Sequence, residues 1–312
     1  MEPHAGMSVI FVIGAGRSGT TLLADLIGMH PECEKLDEKR YLWMYGAYWR
    51  SHDLRGRDEA RGGVREYVIG EIERYWNGKN RPRYIVEKTP SNCFRVPFIT
   101  EAFPTAKFIH IIRDGRAVTA SSVRAYYGEK AFALGSGSRR SGKQKLMNIR
   151  QRLPEVCRRI TERDLPPSGW VPYLVKKTVV LGQMLFSGAP PVWGTRHPGI
   201  EEQRKILSMP EVAAIQWREA LCRARCDSLV YIPESNRMEL RYEDLVENPV
   251  GSMRKVLSFL DLPVDTKLER GIRESVRQTG AGTECLAVFD GVCRQQIMCQ
   301  IEPTLRWLGY LR

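Results

Sequence analysis

The stretch Ser8–His30, SVIFVIGAGRSGTTLLADLIGMH, decides the fold of this 312-residue chain. Its first six residues, Ser8–Ile13, form an apolar, β-branched run that ends at a glycine, which is typical of a buried strand. Thr20–Met29 follows with helical spacing and stops at His30-Pro31. The glycine-rich segment Gly14–Thr21 therefore joins a buried strand to a helix. This unit predicts the start of a parallel α/β sheet.

Strand and helix signals continue to alternate beyond this unit, which indicates βαβ units. Further strands are predicted at Tyr84–Glu87, Lys107–Ile112 and Arg237–Arg241. Further helices are predicted at Asp58–Trp76, about Cys93–Phe103, Gly115–Tyr127 and about Pro249–Leu260. Glu32–Glu38 (ECEKLDE) is not an apolar run, and no strand is expected there. We predict an α/β fold, a parallel β-sheet flanked by helices, in one domain, 1–312, with a helical insertion at about 128–235.

The chain carries 48 Lys and Arg against 36 Asp and Glu, a formal net charge of +12. Such an excess suggests an anionic partner: a nucleotide, an acidic substrate, a membrane surface or nucleic acid. Residues 138–163 hold nine of the basic residues against two acidic ones, a local charge of +7. This stretch has no aromatic residue to stack on bases, which disfavours nucleic acid as a partner. It is either a solvated helix face or a contact for an anionic acceptor, a membrane surface or an acidic peptide.

The apolar run Val9–Ile13 is too short for a transmembrane helix and lacks the flanks of a signal peptide. The eight cysteines show no Cys-x-x-Cys pair and no zinc-ligand spacing with histidine. We interpret them as reduced thiols, with Cys285, Cys293 and Cys299 as the set to check for disulfides. The expectation is a soluble, cytoplasmic protein with no transmembrane segment and no metal site. The sequence does not indicate an oligomeric state.

The segment GAGRSGTT has more than one interpretation. Gly14, Gly16 and Gly19 match the G-x-G-x-x-G dinucleotide fingerprint, but the apolar second strand which that fingerprint requires is missing from the sequence. Gly14 and Gly19 also match a P-loop in which Thr20 replaces the lysine. In both interpretations the free amides at a helix start hold a phosphate or a sulfate. A plain strand-to-helix turn without a ligand is the third interpretation.

Cationic residues directly follow two of the other predicted strands. Lys88 follows the second strand, and Arg113 follows the third, where a kinase or ATPase needs a carboxylate for Mg²⁺. Ser121 lies eight residues after Arg113, two turns into the next helix. Because ligands of open parallel sheets bind at the carboxyl ends of the strands, we expect Arg17, Lys88 and Arg113 to converge. The sequence predicts an anion site built from cations rather than around a metal.

These motifs resemble those of the sulfotransferases that use 3′-phosphoadenosine 5′-phosphosulfate (PAPS), and they are most similar to the tyrosylprotein-type and bacterial branch. The resemblance rests on Arg17–Thr21 (RSGTT), Arg113 with Ser121, Tyr242–Leu245 (YEDL), and Ile301–Leu305 with Leu308–Tyr310. It covers residues 8–122 and 236–312 and is weak between them. It implies the P-loop-like sulfotransferase fold, with a nucleotide-binding core at about 8–127 and 236–312 and an insertion on the acceptor side.

The resemblance also implies PAPS as cosubstrate, adenosine 3′,5′-bisphosphate as product, and no required metal. The residues that would bind the 5′-phosphosulfate are Gly16, Arg17, Ser18, Gly19, Thr20 and Thr21. Arg113 and Ser121 would bind the 3′-phosphate, with Tyr242 near the nucleotide. Lys88 resembles the family's lysine after the second strand, and we expect Lys88 and Arg17 to stabilise the charge that develops on the transferred group.

Transfer to a hydroxyl also needs a general base. Glu38-Lys39-Arg40 is similar to the Glu-x-Arg segment of the tyrosylprotein branch, which implies Glu38 as the base and Arg40 as its orienting or substrate-binding partner. Asp37 and Glu87 are the alternative bases, whereas His110 lies within a predicted buried strand and is expected in the core. Trp193, Arg196 and His197 belong to a loop, WGTRHPG, that either shapes the acceptor pocket or anchors a turn.

The expected function is therefore metal-independent, in-line transfer of a sulfuryl group from PAPS to a hydroxyl of a carbohydrate, a lipid, a peptidyl tyrosine or a small molecule. Two alternatives stay open. One is a P-loop kinase-like phosphotransferase, which the missing P-loop lysine and the missing metal-binding acid disfavour. The other is a non-catalytic basic protein that binds nucleotides or nucleic acid.

Overall fold

A computed structural model of the chain describes residues 6–36, 38–127, 194–279 and 286–311. Its centre is a parallel sheet of five strands in the order β2-β3-β1-β4-β5. The strands are β1 Ser8–Ile13, β2 Cys33–Leu36, β3 Tyr84–Glu87, β4 Lys107–Ile112 and β5 Arg237–Arg241. The prediction of a parallel α/β fold is confirmed, and the four predicted strands lie at their predicted bounds.

Ten α-helices accompany the sheet within the described residues. They are α1 Thr20–Ile27, α2 Gly62–Gly78, α3 Val96–Ala102, α4 Gly115–Tyr127, α5 Ile200–Ile206, α6 Met209–Tyr231, α7 Tyr242–Glu247, α8 Pro249–Phe259, α9 Thr266–Thr279 and α10 Gly291–Trp307. Short 3₁₀ turns lie at Leu42–Met44, Arg57–Glu59 and Pro90–Phe94, among others. None of the helices in this described part is both long enough and apolar enough to cross a bilayer.

Alternating side chains of the strands bury two faces of the sheet, as a parallel sheet requires. Phe11 and Ile13 of β1 belong to a core shared with α2, α3, α4, α6 and α10. Ile10 and Val12 belong to a second core shared with α1, α7, α8 and α9. All four side chains are fully buried. With β1 in the middle of the sheet, the loop after it lies between the residues that follow β3 and β4.

The expectation of no strand within Glu32–Glu38 is wrong, because Cys33–Leu36 forms β2. This strand is at the edge of the sheet, and only its first and last residues are buried. The two residues between them, Glu34 and Lys35, form ion pairs with Lys79 and Asp25 at the surface. An edge strand needs few apolar residues, so its sequence does not show the pattern of a buried strand.

The strand order also bears on the dinucleotide interpretation of the loop. β3 lies between β1 and β2, so β2 pairs with β3 and not with β1. The dinucleotide fingerprint belongs to a sheet in which the second strand is the neighbour of the first, so that an acid at its end reaches the ribose. This sheet therefore favours the P-loop interpretation.

Two predicted helices differ from the observed ones. The helix expected at Asp58–Trp76 is a 3₁₀ turn at 57–59 followed by α2, which begins at Gly62. The helix expected at about Cys93–Phe103 is divided at Arg95 into a 3₁₀ turn and α3, with a proline in the first turn of each part. A proline fits the first turn of a helix but not its interior, which explains the division.

The predicted helical insertion is only partly described. The basic stretch at 138–163 and the residues Cys157, Trp193 and Cys285 lie outside the described residues. Within the described part of the insertion, α6 packs against the sheet and against α4 and α10, and its Trp217 is 1% exposed. The division of the chain into a nucleotide-binding core and an acceptor-side insertion stays a prediction.

Candidate active site

The loop after β1 has an unusual backbone. Arg17 has φ 71° and Gly19 has φ 94°, both in the left-handed region. A Cβ atom on Gly19 would lie 2.3 Å from Cδ2 of Tyr242, and one on Gly14 would lie 2.6 Å from the carbonyl oxygen of Ile111. Only glycine combines this conformation with such close contacts. The strained backbone at Arg17 is the kind of outlier that concentrates at binding sites.

This loop fits an anion. Gly19 is the N-cap of α1 and has no side chain to satisfy the first-turn amides of that helix, which the helix itself leaves unbonded. The hydroxyl of Ser18 is buried and has no hydrogen-bond partner among the described residues. A Cβ atom on Gly16 would meet no atom within 4 Å, so the loop is open above this residue. Thr20 is buried and Thr21 is exposed.

Arg113, Ser121 and Tyr242 meet the loop. Nε of Arg17 donates to Oγ of Ser121 over 3.1 Å, and Nη1 of Arg113 donates to the carbonyl oxygen of Arg17 over 3.0 Å. The guanidinium of Arg113 stacks on the ring of Tyr242 at 4.1 Å from the ring centroid. The ring of Tyr242 in turn packs against Gly19. The three residues assigned to the nucleotide by the resemblance thus surround the loop.

Lys88 and Glu38 form the second part of the site. Nζ of Lys88 lies 3.0 Å from Oε2 of Glu38, with the lysine side chain 12% exposed and the glutamate side chain 37% exposed. Lys88 directly follows β3, the neighbour of β1 in the sheet. The 3₁₀ turn after Lys88 also packs against β1, the strand that leads into the loop. A carboxylate and an ammonium group therefore stand together beside the anion loop.

Of the two alternative bases, Glu87 and Asp37, the structure describes only Glu87. Glu87 is 1% exposed, and its carboxylate accepts hydrogen bonds from Trp43, Thr89 and Asn92 over 2.6–2.8 Å. Burial raises the pKa of Glu87 above its usual range, although these three hydrogen bonds oppose the shift. A carboxyl group enclosed in this way has no face for an acceptor hydroxyl. Asp37 lies outside the described residues.

A buried ion-pair cluster holds the segment that follows residue 193. Asp53 is 3% exposed; its Oδ1 accepts from Nη2 of Arg95 over 3.0 Å, and its Oδ2 accepts from the backbone N–H of Arg196 over 2.8 Å. Burial opposes ionisation of Asp53, but the guanidinium groups of Arg95 and Arg196 outweigh it and hold the pKa of Asp53 below its usual value. Nη2 of Arg40 donates to the carbonyl oxygen of Gly194 over 3.2 Å. Arg40 and Arg196 therefore meet at one loop.

His197 is turned inward in the same loop. It is 2% exposed, and its Nε2 lies 2.8 Å from Oε1 of Gln203. Burial lowers the pKa of His197 below its ordinary value. This geometry supports the turn-anchoring interpretation for His197, while Arg196 keeps a partly exposed side chain. His110, 4% exposed in β4, lies in the core as expected.

The YEDL segment is tied to the C-terminal segment by Glu243. Its Oε1 accepts from the backbone N–H of Asp114 over 3.0 Å, and its Oε2 accepts from the hydroxyl of Tyr310 over 2.8 Å. Nη2 of Arg241 donates to the carbonyl oxygen of Leu308. The end of the chain thereby closes on the turn that carries Arg113.

Sequence reasoning missed residues that position the site. Nε1 of Trp217 on α6 donates to the carbonyl oxygen of Arg113 over 3.1 Å, and its ring lies where a Cβ atom on Gly115 would be only 2.6 Å away. Trp43, Asp53 and Arg95 were missed as well. For Trp217 the sequence offers one signal, Gly115, because a glycine at the start of a helix can mark the close approach of another side chain.

A parallel sheet with a glycine-rich loop between its first strand and first helix, and with cations directly after the two strands that flank the first one, defines an α/β protein with a P-loop-like fold. The chain belongs to the sulfotransferase family: the profile described as "Sulfotransferase family" matches residues 9–164 and 187–266, more than half of the chain.

Curated relatives carry related names. The protein-tyrosine sulfotransferase of Drosophila melanogaster is 30% identical over 165 residues, which are 49% of this chain and 32% of the relative. Protein-tyrosine sulfotransferase 2 of Gallus gallus is 29% identical over 126 residues, 38% of this chain and 34% of the relative. Protein-tyrosine sulfotransferase A of Caenorhabditis elegans is 23% identical over 330 residues, 96% of this chain and 67% of the relative. The matches in the fly and chicken proteins span about a third of those relatives' length.

Among solved structures, the sulfotransferase domain from the Synechococcus PCC 7002 olefin synthase is 16% identical, with a TM-score of 0.48 over 97% of this chain and 95% of that one. A mouse sulfotransferase complexed with PAP is 13% identical, with a TM-score of 0.46 over 98% of this chain and 86% of that one.

Proposed function

We propose that this chain transfers a sulfuryl group from PAPS to an acceptor hydroxyl and releases adenosine 3′,5′-bisphosphate. The observation that carries the proposal is the Lys88–Glu38 pair, 3.0 Å apart, beside a loop whose buried Ser18 hydroxyl and first-turn amides fit an anion. Membership of the sulfotransferase family supports the reaction class.

The nucleotide would occupy the carboxyl edge of the sheet. The first-turn amides of α1 and the hydroxyl of Ser18 suit the 5′-phosphosulfate, because N–H groups at a helix start and the helix dipole favour negative charge. Arg113 and Ser121 suit the 3′-phosphate, as the family resemblance implies. Arg17 donates to Ser121, so the loop and the residues for the 3′-phosphate are joined and can recognise one ligand at two places.

The reaction needs one bond to break and one to form. The acceptor oxygen attacks sulfur, the bond from sulfur to the phosphate oxygen breaks, and the bonding electrons remain on the bisphosphate. Glu38 accepts the hydroxyl proton as the attack proceeds, since its carboxylate is partly exposed beside the loop. Lys88 and Arg17 supply positive charge where negative charge develops on the leaving oxygen.

The acceptor is a hydroxyl compound, for which the relatives' names suggest a peptidyl tyrosine as one candidate. Arg40 and Arg196, which meet at the loop after residue 193, are the proposed acceptor-side residues. They would suit an anionic acceptor. A cytoplasmic location and independence from metal remain part of the proposal, the former resting on the cysteine spacing of the sequence.

Incubation of the purified chain with ³⁵S-labelled PAPS in the presence of EDTA tests the proposal. The acceptor panel contains a tyrosine peptide, a simple phenol, an aliphatic lipid alcohol and a monosaccharide. We expect label on at least one acceptor and tight binding of adenosine 3′,5′-bisphosphate by calorimetry. Absence of both, or phosphate transfer from ATP and Mg²⁺ instead, would overturn the proposal.

A further inference from the structure

Glu87 is a buried carboxyl group next to the proposed catalytic lysine, and the proposed reaction does not use it. Its Oε1 accepts from Nε1 of Trp43 over 2.8 Å and from Oγ1 of Thr89 over 2.6 Å. Its Oε2 accepts from Nδ2 of Asn92 over 2.8 Å. Three donors from two other parts of the chain therefore converge on one side chain at the end of β3.

The hydrogen bond from Trp43 connects Glu87 to the segment that carries Glu38. Trp43 belongs to the 3₁₀ turn that begins four residues after Glu38, and it is fully buried. Its ring packs edge-on against Phe11 at 5.7 Å and against Phe98 at 6.5 Å between centroids. The indole N–H thus pins the turn to the end of β3. The segment that carries Glu38 is thereby held beside the residue that follows Glu87, which is Lys88.

The hydrogen bond from Asn92 connects Glu87 to the loop that contains Arg196. Oδ1 of Asn92 accepts from Nη1 of Arg95 over 3.2 Å, and Nη2 of Arg95 donates to Oδ1 of Asp53 over 3.0 Å. Asp53 then binds the backbone of Arg196 in both directions, through its carboxylate and through its own N–H. A continuous path of hydrogen bonds runs from Glu87 to the proposed acceptor side.

We propose that Glu87 is a positioning residue, which holds Lys88 and Glu38 at their mutual distance and links this pair to the loop at residues 194–197. The assignment rests on the proposed sulfuryl transfer. Both oxygens of Glu87 are engaged and the side chain is 1% exposed, so the group acts through its neighbours and does not contact the acceptor.

The first test removes one hydrogen bond. Trp43→Phe deletes the indole N–H that reaches Glu87 and keeps an aromatic ring. Trp76→Phe is the matched control: Trp76 is also buried, 3% exposed, and its Nε1 donates over 2.8 Å to the carbonyl oxygen of Pro82, away from the site. Both variants lose the indole N–H bond of a tryptophan that belongs to the same core, and only the bond of Trp43 ends on Glu87.

We expect Trp43→Phe to lower kcat by about 10- to 100-fold relative to Trp76→Phe, since a displacement of about 1 Å in a reacting group has this order of effect. The affinity for adenosine 3′,5′-bisphosphate should be the same in both variants, and thermal unfolding of each checks that it is folded at the assay temperature. Equal kcat values for Trp43→Phe and Trp76→Phe would overturn the positioning role.

The second test separates positioning from proton abstraction. Glu87→Gln keeps a carbonyl oxygen for Trp43 and Thr89 but turns an amide toward Asn92. We expect reduced turnover with a pH–rate profile of the same shape as that of the wild type, because Glu87 is not the base. Turnover at background across the pH range, with Trp43→Phe fully active, would assign Glu87 as the base and overturn the proposal.

The wild-type chain distinguishes the proposed function from the positioning role of Glu87. A wild type that transfers no sulfuryl group to any acceptor overturns the proposed function and the positioning role with it. If the wild type is active and both Trp43→Phe and Glu87→Gln keep its kcat, the positioning role alone is overturned.

Discussion

Nζ of Lys88 lies 3.0 Å from Oε2 of Glu38, although the two residues are 50 positions apart in the chain. Lys88 is fixed by the end of β3, and Glu38 is brought to it by the segment after β2. In the proposed reaction this contact places a carboxylate that can accept the hydroxyl proton next to an ammonium group that can stabilise negative charge on the leaving oxygen.

Glu38→Gln should therefore abolish proton acceptance without affecting the nucleotide. We expect kcat to fall by about 10²- to 10⁴-fold, the usual contribution of a general base, with unchanged affinity for adenosine 3′,5′-bisphosphate. Glu234→Gln, at an exposed glutamate near the amino end of β5, is the control and should leave kcat unchanged. Full activity of Glu38→Gln would transfer the role of base to another group.

Gly19→Ala should destabilise the protein and weaken nucleotide binding. The new Cβ atom would lie 2.3 Å from the ring of Tyr242, and the backbone of residue 19 has φ 94°, which disfavours alanine. Backbone strain and overpacking together should lower the free energy of unfolding by about 2–4 kcal/mol. Gly70→Ala, in the interior of α2 with no atom within 4 Å of the new Cβ, should instead stabilise by about 0.5–1 kcal/mol. Urea denaturation of both variants measures the difference, and the same sign for both would contradict the structure.

Ser121→Ala should weaken binding only of nucleotides that carry a 3′-phosphate. Loss of one hydrogen bond to a charged group corresponds to about a 10- to 100-fold lower affinity for adenosine 3′,5′-bisphosphate. Adenosine 5′-monophosphate should bind Ser121→Ala and the wild type equally well. Calorimetry with the two nucleotides makes the comparison, with the exposed Ser258→Ala as control. Equal losses for both nucleotides would place Ser121 elsewhere on the ligand.

His110 should make the protein less stable at acidic pH. Burial, aided by the charge of Arg225, lowers the pKa of His110 from 6.5 to about 4, with Glu239 Oε2 3.8 Å from its Nδ1. Between these pH values the unfolded chain binds a proton that the folded chain excludes. Stability therefore falls as the pH drops from about 6.5 to about 4, by at most roughly 3 kcal/mol from this group.

Denaturation curves of the wild type and of His110→Gln at pH 7.5 and pH 5 measure this effect. The variant lacks the titrating group and should lose less stability between the two pH values than the wild type does. Identical losses would show that His110 is protonated equally in both states.

The sequence predicted site residues best where they lie close together in the chain. The loop at residues 14–21 and the pair Arg113 and Ser121 were found because each motif lies within one strand–helix unit, where spacing fixes geometry. Trp43, Asp53, Arg95 and Trp217 were not found, because each acts on a residue of another segment. The edge strand β2 was missed because exposure on its outer side removed the apolar pattern.

The sequence by itself determined the parallel sheet, four of its five strands, the loop after β1 and the cations that follow β3 and β4. These features arise from local periodicity and from glycine, which the chain encodes residue by residue. Only the tertiary structure decided that β3 separates β1 from β2, that Glu38 faces Lys88 and that Glu87 is enclosed. Strand order and the burial of a charge depend on which distant segments pack together, and the free energy of that packing belongs to the whole fold.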